Sequence, residues 1–217
     1  MKITIISDNT IYNKELRSEW GFSCLVEIEN LPKILFDTGA SGEVLLGNME
    51  KLKIRSEEIT VIFISHDHWD HTGGLSSFLK INNRIKLYVP ESFSSHPEVK
   101  EFIKVRDSIE IFDNVFSTGE LLGIEQSLIV KLRKEVVVIV GCSHPGVKNI
   151  LKEASKFGRV IALIGGLHGF REFDLVKNLD FICATHCTQY REEIRRLYPG
   201  KFIEGGSGKL IKIEKIE

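Results

Sequence analysis

The stretch "TVIFISHDHWDHTGG" (residues 60–74) drives an unbroken apolar segment straight into three histidines and two aspartates packed within six positions. A short apolar run rich in Val and Ile suits a strand buried on both faces, whereas a strand half open to water alternates. The same continuous pattern returns in "EVVVIVG" (135–141) and "VIALIGG" (160–166), while "KITIIS" (2–7) alternates. Further strand-like stretches are "SCLVEIE" (23–29), "KILFD" (33–37), "IKLYVP" (85–90), "SIEIF" (108–112), "SLIVKL" (127–132), "FICAT" (181–185), "KFIEG" (201–205) and "KLIKIE" (209–214). Helical patterns fall between them. "SGEVLLGNMEKLK" opens at Ser41 with Glu43 just inside, and "HPGVKNILKEASKF", "FDLVKNL" and "REEIRRLY" read similarly. Strands come first and then alternate with helices, which predicts an α/β layered sandwich of two mixed sheets with helices outside.

At 217 residues the chain suffices for one sizeable core, and a single domain over residues 1–217 is expected. The apolar runs are too short to span a bilayer, so no membrane association is expected. The N-terminus lacks the long apolar stretch of a secretory signal, which predicts a cytoplasmic protein. With 29 Lys and Arg against 30 Asp and Glu, scattered without a block, nothing favours nucleic acid as a partner. A small-molecule substrate is the expected partner, and self-association stays open. Without a secretory context the four cysteines read as reduced thiols.

Six of the seven histidines (His66, His68, His71, His144, His168 and His186) sit at strand ends or in the turns that follow; only His96, in "SSHPEV", reads as a surface residue at a helix start. Residues two apart on an extended segment point the same way, so His66 and His68 can converge on one metal ion. A tightening turn then brings Asp70 and His71 toward a second. Gly73 and Gly74 let the backbone turn onward into a helix.

"SHDHWDHTGG" resembles the H-x-H-x-D-H motif of the metallo-β-lactamase superfamily. "LFDTG" (Asp37) resembles that family's first motif, "GCSHPG" (His144) its third and "ATHCT" (His186) its fifth, and "GGLHG" (His168) falls where the fourth belongs. With the closing "GGSGKL", the set is also similar to the branch that includes 7,8-dihydropterin-6-methyl-4-(β-D-ribofuranosyl)aminobenzene 5′-phosphate synthases, although the segment between "SHDHWDH" and "GCSH" is short for that branch. The resemblance implies a four-layer αββα sandwich and a hydrolase using a metal-bound hydroxide on a small phosphorylated or ester substrate. It assigns His66, His68 and His144 to a first metal, Asp70, His71 and His186 to a second, and Asp37 to holding a ligating histidine. Zinc is the expected metal, as one or two ions, with Fe or Mn as alternatives.

Most members place a bridging Asp in the fourth motif, where this chain has His168. A neutral imidazole cannot bridge two cations, so His168 either ligates one metal or contacts substrate as a general acid. Cys142 and Cys187 neighbour presumed ligands, and a thiolate binds zinc well, but such a cysteine is more often a small buried apolar residue; that is the reading for Cys24 and Cys183, and Cys187 stays open. Asn9, Trp69 and Ser207 are candidate pocket residues. Two further functions fit the sequence: a pterin-type condensation, and a non-catalytic metal-binding sensor.

Overall fold

In a computed structural model that describes residues 1–213, the chain divides into two compact units. The first comprises Met1–Lys104 together with the described residues from Gly205 onward, and the second Val105–Glu204.

The first unit is built on a mixed seven-stranded sheet. In chain order its strands are β1 (Lys2–Ser7), β2 (Ser23–Glu27), β3 (Lys33–Phe36), β4 (Ile59–Phe63), β5 (Lys86–Pro90), β6 (Glu101–Val105) and, from the other end of the chain, β13 (Leu210–Lys212). The spatial order is β13-β1-β2-β3-β4-β5-β6. The pairs from β13 to β3 are antiparallel, and β3 with β4 and β4 with β5 are parallel. A parallel neighbour requires a crossover, and helices supply both. Helix α1 (Gly42–Lys51) joins β3 to β4; α2 (Trp69–Thr72) and α3 (Leu75–Ile81) join β4 to β5. Helix α1 starts where the sequence places it, because the Ser41 side chain accepts the Val44 N–H. Leu45 and Met49 of α1 and Leu75 and Phe78 of α3 pack onto Ile6, Leu25, Leu35, Ile62 and Leu87 of the strands.

The second unit carries a six-stranded mixed sheet in the order β12-β11-β10-β9-β8-β7. These strands are β7 (Ile109–Phe112), β8 (Val115–Ser117), β9 (Leu128–Leu132), β10 (Glu135–Val140), β11 (Arg159–Gly166) and β12 (Phe181–Thr185). Strands β7 to β10 form an antiparallel meander, and β10, β11 and β12 run parallel. Helix α4 (Val147–Ala154) makes the β10–β11 crossover and α5 (Arg191–Leu197) follows β12. Val147, Ile150 and Ala154 of α4 and Ile194 of α5 bury against Val136, Val138, Val140, Leu163 and Ala184.

The α/β class with two mixed sheets is the one the sequence predicts, with local corrections. "KFIEG" is not a strand: Phe202 makes a single bridge to Ile182, and its N–H returns to the Tyr198 carbonyl in a turn after α5. "FDLVKNL" shortens to a 3₁₀ turn over Phe173–Val176. Strands β6 and β8 had no clear sequence signal, being short and partly exposed. No helix follows His96, which lies exposed in an irregular segment with its ring 5.0 Å from that of Phe102. Glu214, the end of the expected last strand, lies outside the described residues. Among the described residues no helix is long and apolar enough to cross a membrane.

One buried polar side chain fastens α1 to the first strand. The Asn48 amide donates to the Ile6 and Arg17 carbonyls at 2.8 Å each and accepts the Arg17 N–H at 2.9 Å. Asn48→Leu leaves the buried Ile6 carbonyl unmet, at a cost of about 1–3 kcal/mol, and returns two partly buried Arg17 groups to imperfect contact with water. A loss of about 2–4 kcal/mol in urea denaturation is expected, against no more than a few tenths for an exposed substitution on the same helix, such as Glu50→Gln.

Candidate functional site

In both sheets the candidate residues stand just past the carboxyl ends of parallel strands, where open α/β sheets gather ligands. Asp37 follows β3, Ser65 and His66 follow β4, Cys142 to His144 follow β10, His168 follows β11 and His186 follows β12.

In the first unit one carboxylate organises the cluster. Asp37 Oδ1 accepts the Ser65 N–H at 2.7 Å, and Oδ2 accepts both the Ser65 hydroxyl and His71 Nδ1 at 2.7 Å. A carboxylate can only accept, so Nδ1 of His71 carries the proton and Nε2 presents its lone pair. The same reasoning passes through Ser65. Its hydroxyl proton is committed to Asp37, so its oxygen accepts from His66 Nδ1 at 2.9 Å, and His66 also presents Nε2. Asp37, Ser65, His66 and His71 are essentially inaccessible to water. The His66 ring centroid lies 4.1 Å from that of His71 and 4.5 Å from that of His68, and Asp70 Oδ2 sits 3.9 Å from His71 Nε2. Three imidazoles and a carboxylate gathered this closely, two of the rings locked with Nε2 forward, match the chemistry of a divalent metal site.

The backbone of this cluster is tied as firmly. The His71 carbonyl accepts from the Thr38 N–H and hydroxyl at 2.8 and 2.9 Å, and the Asp70 carbonyl accepts the Phe22 N–H at 3.1 Å. A Cβ on Gly73 would fall 2.0 Å from the Ala40 carbonyl oxygen, which is why the histidine turn ends in glycine. Glu19 holds the facing turn, accepting from the Ala40 and Ser41 N–H groups and the Ser41 hydroxyl.

In the second unit a buried carboxylate again does the positioning. Glu125 Oε1 accepts the N–H groups of Gly141, Cys142 and Ser143 at 3.0–3.1 Å, and Oε2 accepts that of His144 at 2.9 Å. The sulfurs of Cys142 and Cys187 lie 3.2 Å apart in a hydrogen bond. That bond with Cys142 is the main reason the Cys187 thiol falls to about 6. Burial opposes the shift, and the His186 charge and hydrogen bonds from His168 add to it. Cys142 Sγ lies within 4.8 Å of a ring nitrogen of His186 and likewise of His144. The His144 and His168 rings are 5.2 Å apart at their centroids. They line a cleft of about 390 Å³ with Ser143, Leu167, Phe170 and Arg171. Arg171 lies 4.3 Å over the Tyr190 ring and hydrogen bonds its hydroxyl.

Among the described residues, nine other than glycine have positive φ, and four of them are Asp37, Ser143, His168 and His186. Such conformations cost of order 1–3 kcal/mol each and persist where the surroundings over-determine them. Here the strand ends hold the candidate groups and the strain together.

The structure thus brings together His66, His68, Asp70, His71 and Asp37 in one unit, and His144, His168, His186 and both neighbouring thiols in the other. Trp69 stands 65% exposed at the start of α2. Asn9 accepts the Gly21 N–H at 3.2 Å, and the buried Ser207 hydroxyl accepts that of Asp8 at 3.1 Å, stitching the closing "GGSG" turn to the loop after β1. Sequence reasoning missed Ser65, Glu125 and Arg171. Only Glu125 left a faint signal, as an acid entering the apolar run "SLIVKL".

Residues 33–118 match the family model described as a β-lactamase superfamily domain. The chain is 29% identical over 279 aligned positions to the 7,8-dihydropterin-6-methyl-4-(β-D-ribofuranosyl)-aminobenzene-5′-phosphate synthase of Methanocaldococcus jannaschii, covering 93% of this chain and 95% of that one. An alignment longer than this chain means that the relative carries segments absent here. An uncharacterised protein of the same organism is 26% identical, covering 97% of this chain and all of its own length. The crystal structure of Tm1679, a metal-dependent hydrolase of the β-lactamase superfamily, superposes with a TM-score of 0.79 at 26% identity, covering 98% of this chain and 99% of that one. The two mixed sheets with their helices are the metallo-β-lactamase fold.

Asp37→Ala removes the acceptor of three buried donors. It is expected to destabilise the metal-free protein by about 2–4 kcal/mol and to weaken zinc binding about 10–100-fold. Urea denaturation and chelator-competition titration check the two effects, and unchanged zinc affinity would refute the tautomer-locking role.

Proposed function

We propose that this chain, which shares the metallo-β-lactamase fold and is similar to a metal-dependent hydrolase of that superfamily, is a zinc-dependent hydrolase acting on a small phosphorylated substrate. The observation that carries the reading is the Asp37 carboxylate turning Nε2 of both His66 and His71 into the same cluster. In this reading His66, His68 and His144 hold one ion, and Asp70, His71 and His186 a second. A bound zinc supplies Lewis acidity and brings the pKa of a coordinated water near about 7.

The chain's own groups account for the rest. Asp37 and Glu125 hold the ligand turns rigid, so little reorganisation accompanies reaction. His168 is exposed at the mouth of the cleft, close to His144, and delivers a proton to the leaving oxygen. Arg171 lines the same cleft, and its guanidinium, oriented by Tyr190, recognises the substrate's phosphoryl oxygens by paired hydrogen bonds. That residue favours a phosphorylated substrate over a neutral ester.

The likeness to the pterin phosphate synthase over nearly the whole of both chains supports a second reading, a condensation on a phosphorylated pterin precursor. Turnover of phosphodiesters and phosphomonoesters against formation of a pterin adduct separates the two.

Elemental analysis of protein purified without chelator or polyhistidine tag is expected to give about two metal ions per chain, as at other two-metal centres. A His66→Ala/His68→Ala variant should lose at least one of them while keeping its circular dichroism. Failure of folded wild type to bind zinc at saturation would overturn the proposal. Arg171→Met is expected to raise KM for a phosphorylated substrate about 10-fold or more with little change in kcat. Equal effects on a neutral ester would remove Arg171 from phosphate recognition.

A further inference from the structure

We infer that the sulfur of Cys142 is a ligand shared by both ions of the proposed centre, in the position that most of the superfamily gives to a carboxylate. The inference rests on the two-metal reading above. It begins from a gap in donor chemistry. His168 stands where a bridging acid is expected, and a neutral imidazole offers a single lone pair, on one ring nitrogen, so it cannot span two cations. A thiolate can, because one sulfur carries several lone pairs.

The geometry of the second unit places that sulfur suitably. Cys142 Sγ lies within 4.8 Å of a ring nitrogen of His144 and within 4.8 Å of one of His186, the two histidines assigned to different ions. Nitrogen and sulfur on one tetrahedral zinc lie roughly 3.5 Å apart, given bonds of about 2.0 and 2.3 Å. Cys142 is only 3% exposed, and its position is fixed by the backbone. Its own N–H and those of its neighbours end on Glu125, and the next residue, Ser143, is held at φ 61° with its hydroxyl on the Gly166 carbonyl.

The surroundings are also shaped for a sulfur pair. A Cβ on Gly166 would fall 2.7 Å from Cys187 Sγ and 3.2 Å from the His186 ring, so the second glycine of "IGGLHG" is what admits both side chains. Cys187 then stands 3.2 Å from Cys142. When Cys142 binds, its S–H bond breaks, the proton passes to solvent and the sulfur's lone pairs form the metal bonds. Cys187 Sγ, 3.2 Å away, packs beside the coordinated sulfur without being needed as a ligand. His168, relieved of ligation, stays available at the cleft.

Zinc-edge X-ray absorption on zinc-loaded wild type, Cys142→Ser and Cys187→Ser tests the assignment, with metal content measured alongside and circular dichroism confirming the fold. Wild type and Cys187→Ser are expected to show a sulfur shell near about 2.3 Å, and Cys142→Ser to lose it. A bridging sulfur gives about one sulfur per zinc in a two-zinc protein, whereas a sulfur bound to one ion gives about half. A shell of about half, a shell that survives Cys142→Ser, or no sulfur shell in metal-loaded wild type overturns the inference while leaving the two-metal reading intact. Wild type that takes up no zinc overturns both. Cys142→Ala should lose the same sulfur shell, which separates loss of the native donor from entry of a serine oxygen in Cys142→Ser.

Discussion

The contact on which the first unit depends is the Asp37 carboxylate at the end of β3. It is wholly buried, and it meets Ser65 twice and His71 once at 2.7 Å. A charge removed from water is tolerated only when its hydrogen bonds are returned in full, so the strand ends β3 and β4 must sit side by side before the cluster exists. Parallel pairing of Phe36 with Phe63 does this, and the two rings stack at 5.4 Å directly beneath. One acidic side chain therefore links packing in the sheet to the proton positions on two histidines. The chemistry of the cluster is set by the fold, and the fold is penalised if the cluster is broken.

Glu125 repeats the solution in the second unit with different parts. Its carboxylate gathers four consecutive backbone N–H groups of the turn after β10, satisfying donors that would otherwise be stranded where the strand stops. Ser143 can then occupy a left-handed conformation without help from a glycine. Anchoring of this type keeps the neighbouring groups in place whether or not a metal is present. That suits a centre in which the protein, and not the ion, bears the cost of assembly.

The sequence made the main features of this arrangement legible because they are periodic or crowded. Continuous Val and Ile runs disclosed the buried parallel strands β4, β10 and β11, and histidines two residues apart disclosed the extended segment before α2. Asp37 was legible through its motif, but its reach through Ser65 to His66 was not, since serine in a turn has many uses. Glu125 lies sixteen to nineteen residues from the groups it holds, a contact that local pattern cannot report. Strands β6 and β8 escaped because short, half-exposed strands owe their existence to neighbours more than to propensity. "KFIEG" misled for the converse reason: its alternation is real, yet the chain there is turning out of α5 and pairs at one residue only.

The donor set also bears on which metal the centre selects. Histidine and carboxylate alone discriminate poorly among zinc, iron and manganese. A sulfur donor changes the balance, because thiolate prefers the softer, tetrahedral zinc and disfavours manganese. In this chain His168 stands where most of the superfamily has a bridging acid, and the bridging donor we infer is the thiol of Cys142. With Cys142 as the bridge we propose, a hard bridge would be exchanged for a soft one, leaving an imidazole for the cleft where Arg171 stands. On this view the departure from the usual pattern is not a loss of function. Such a bridge would move the centre toward zinc and give the substrate side of the site a titratable group that a bridging carboxylate could not provide.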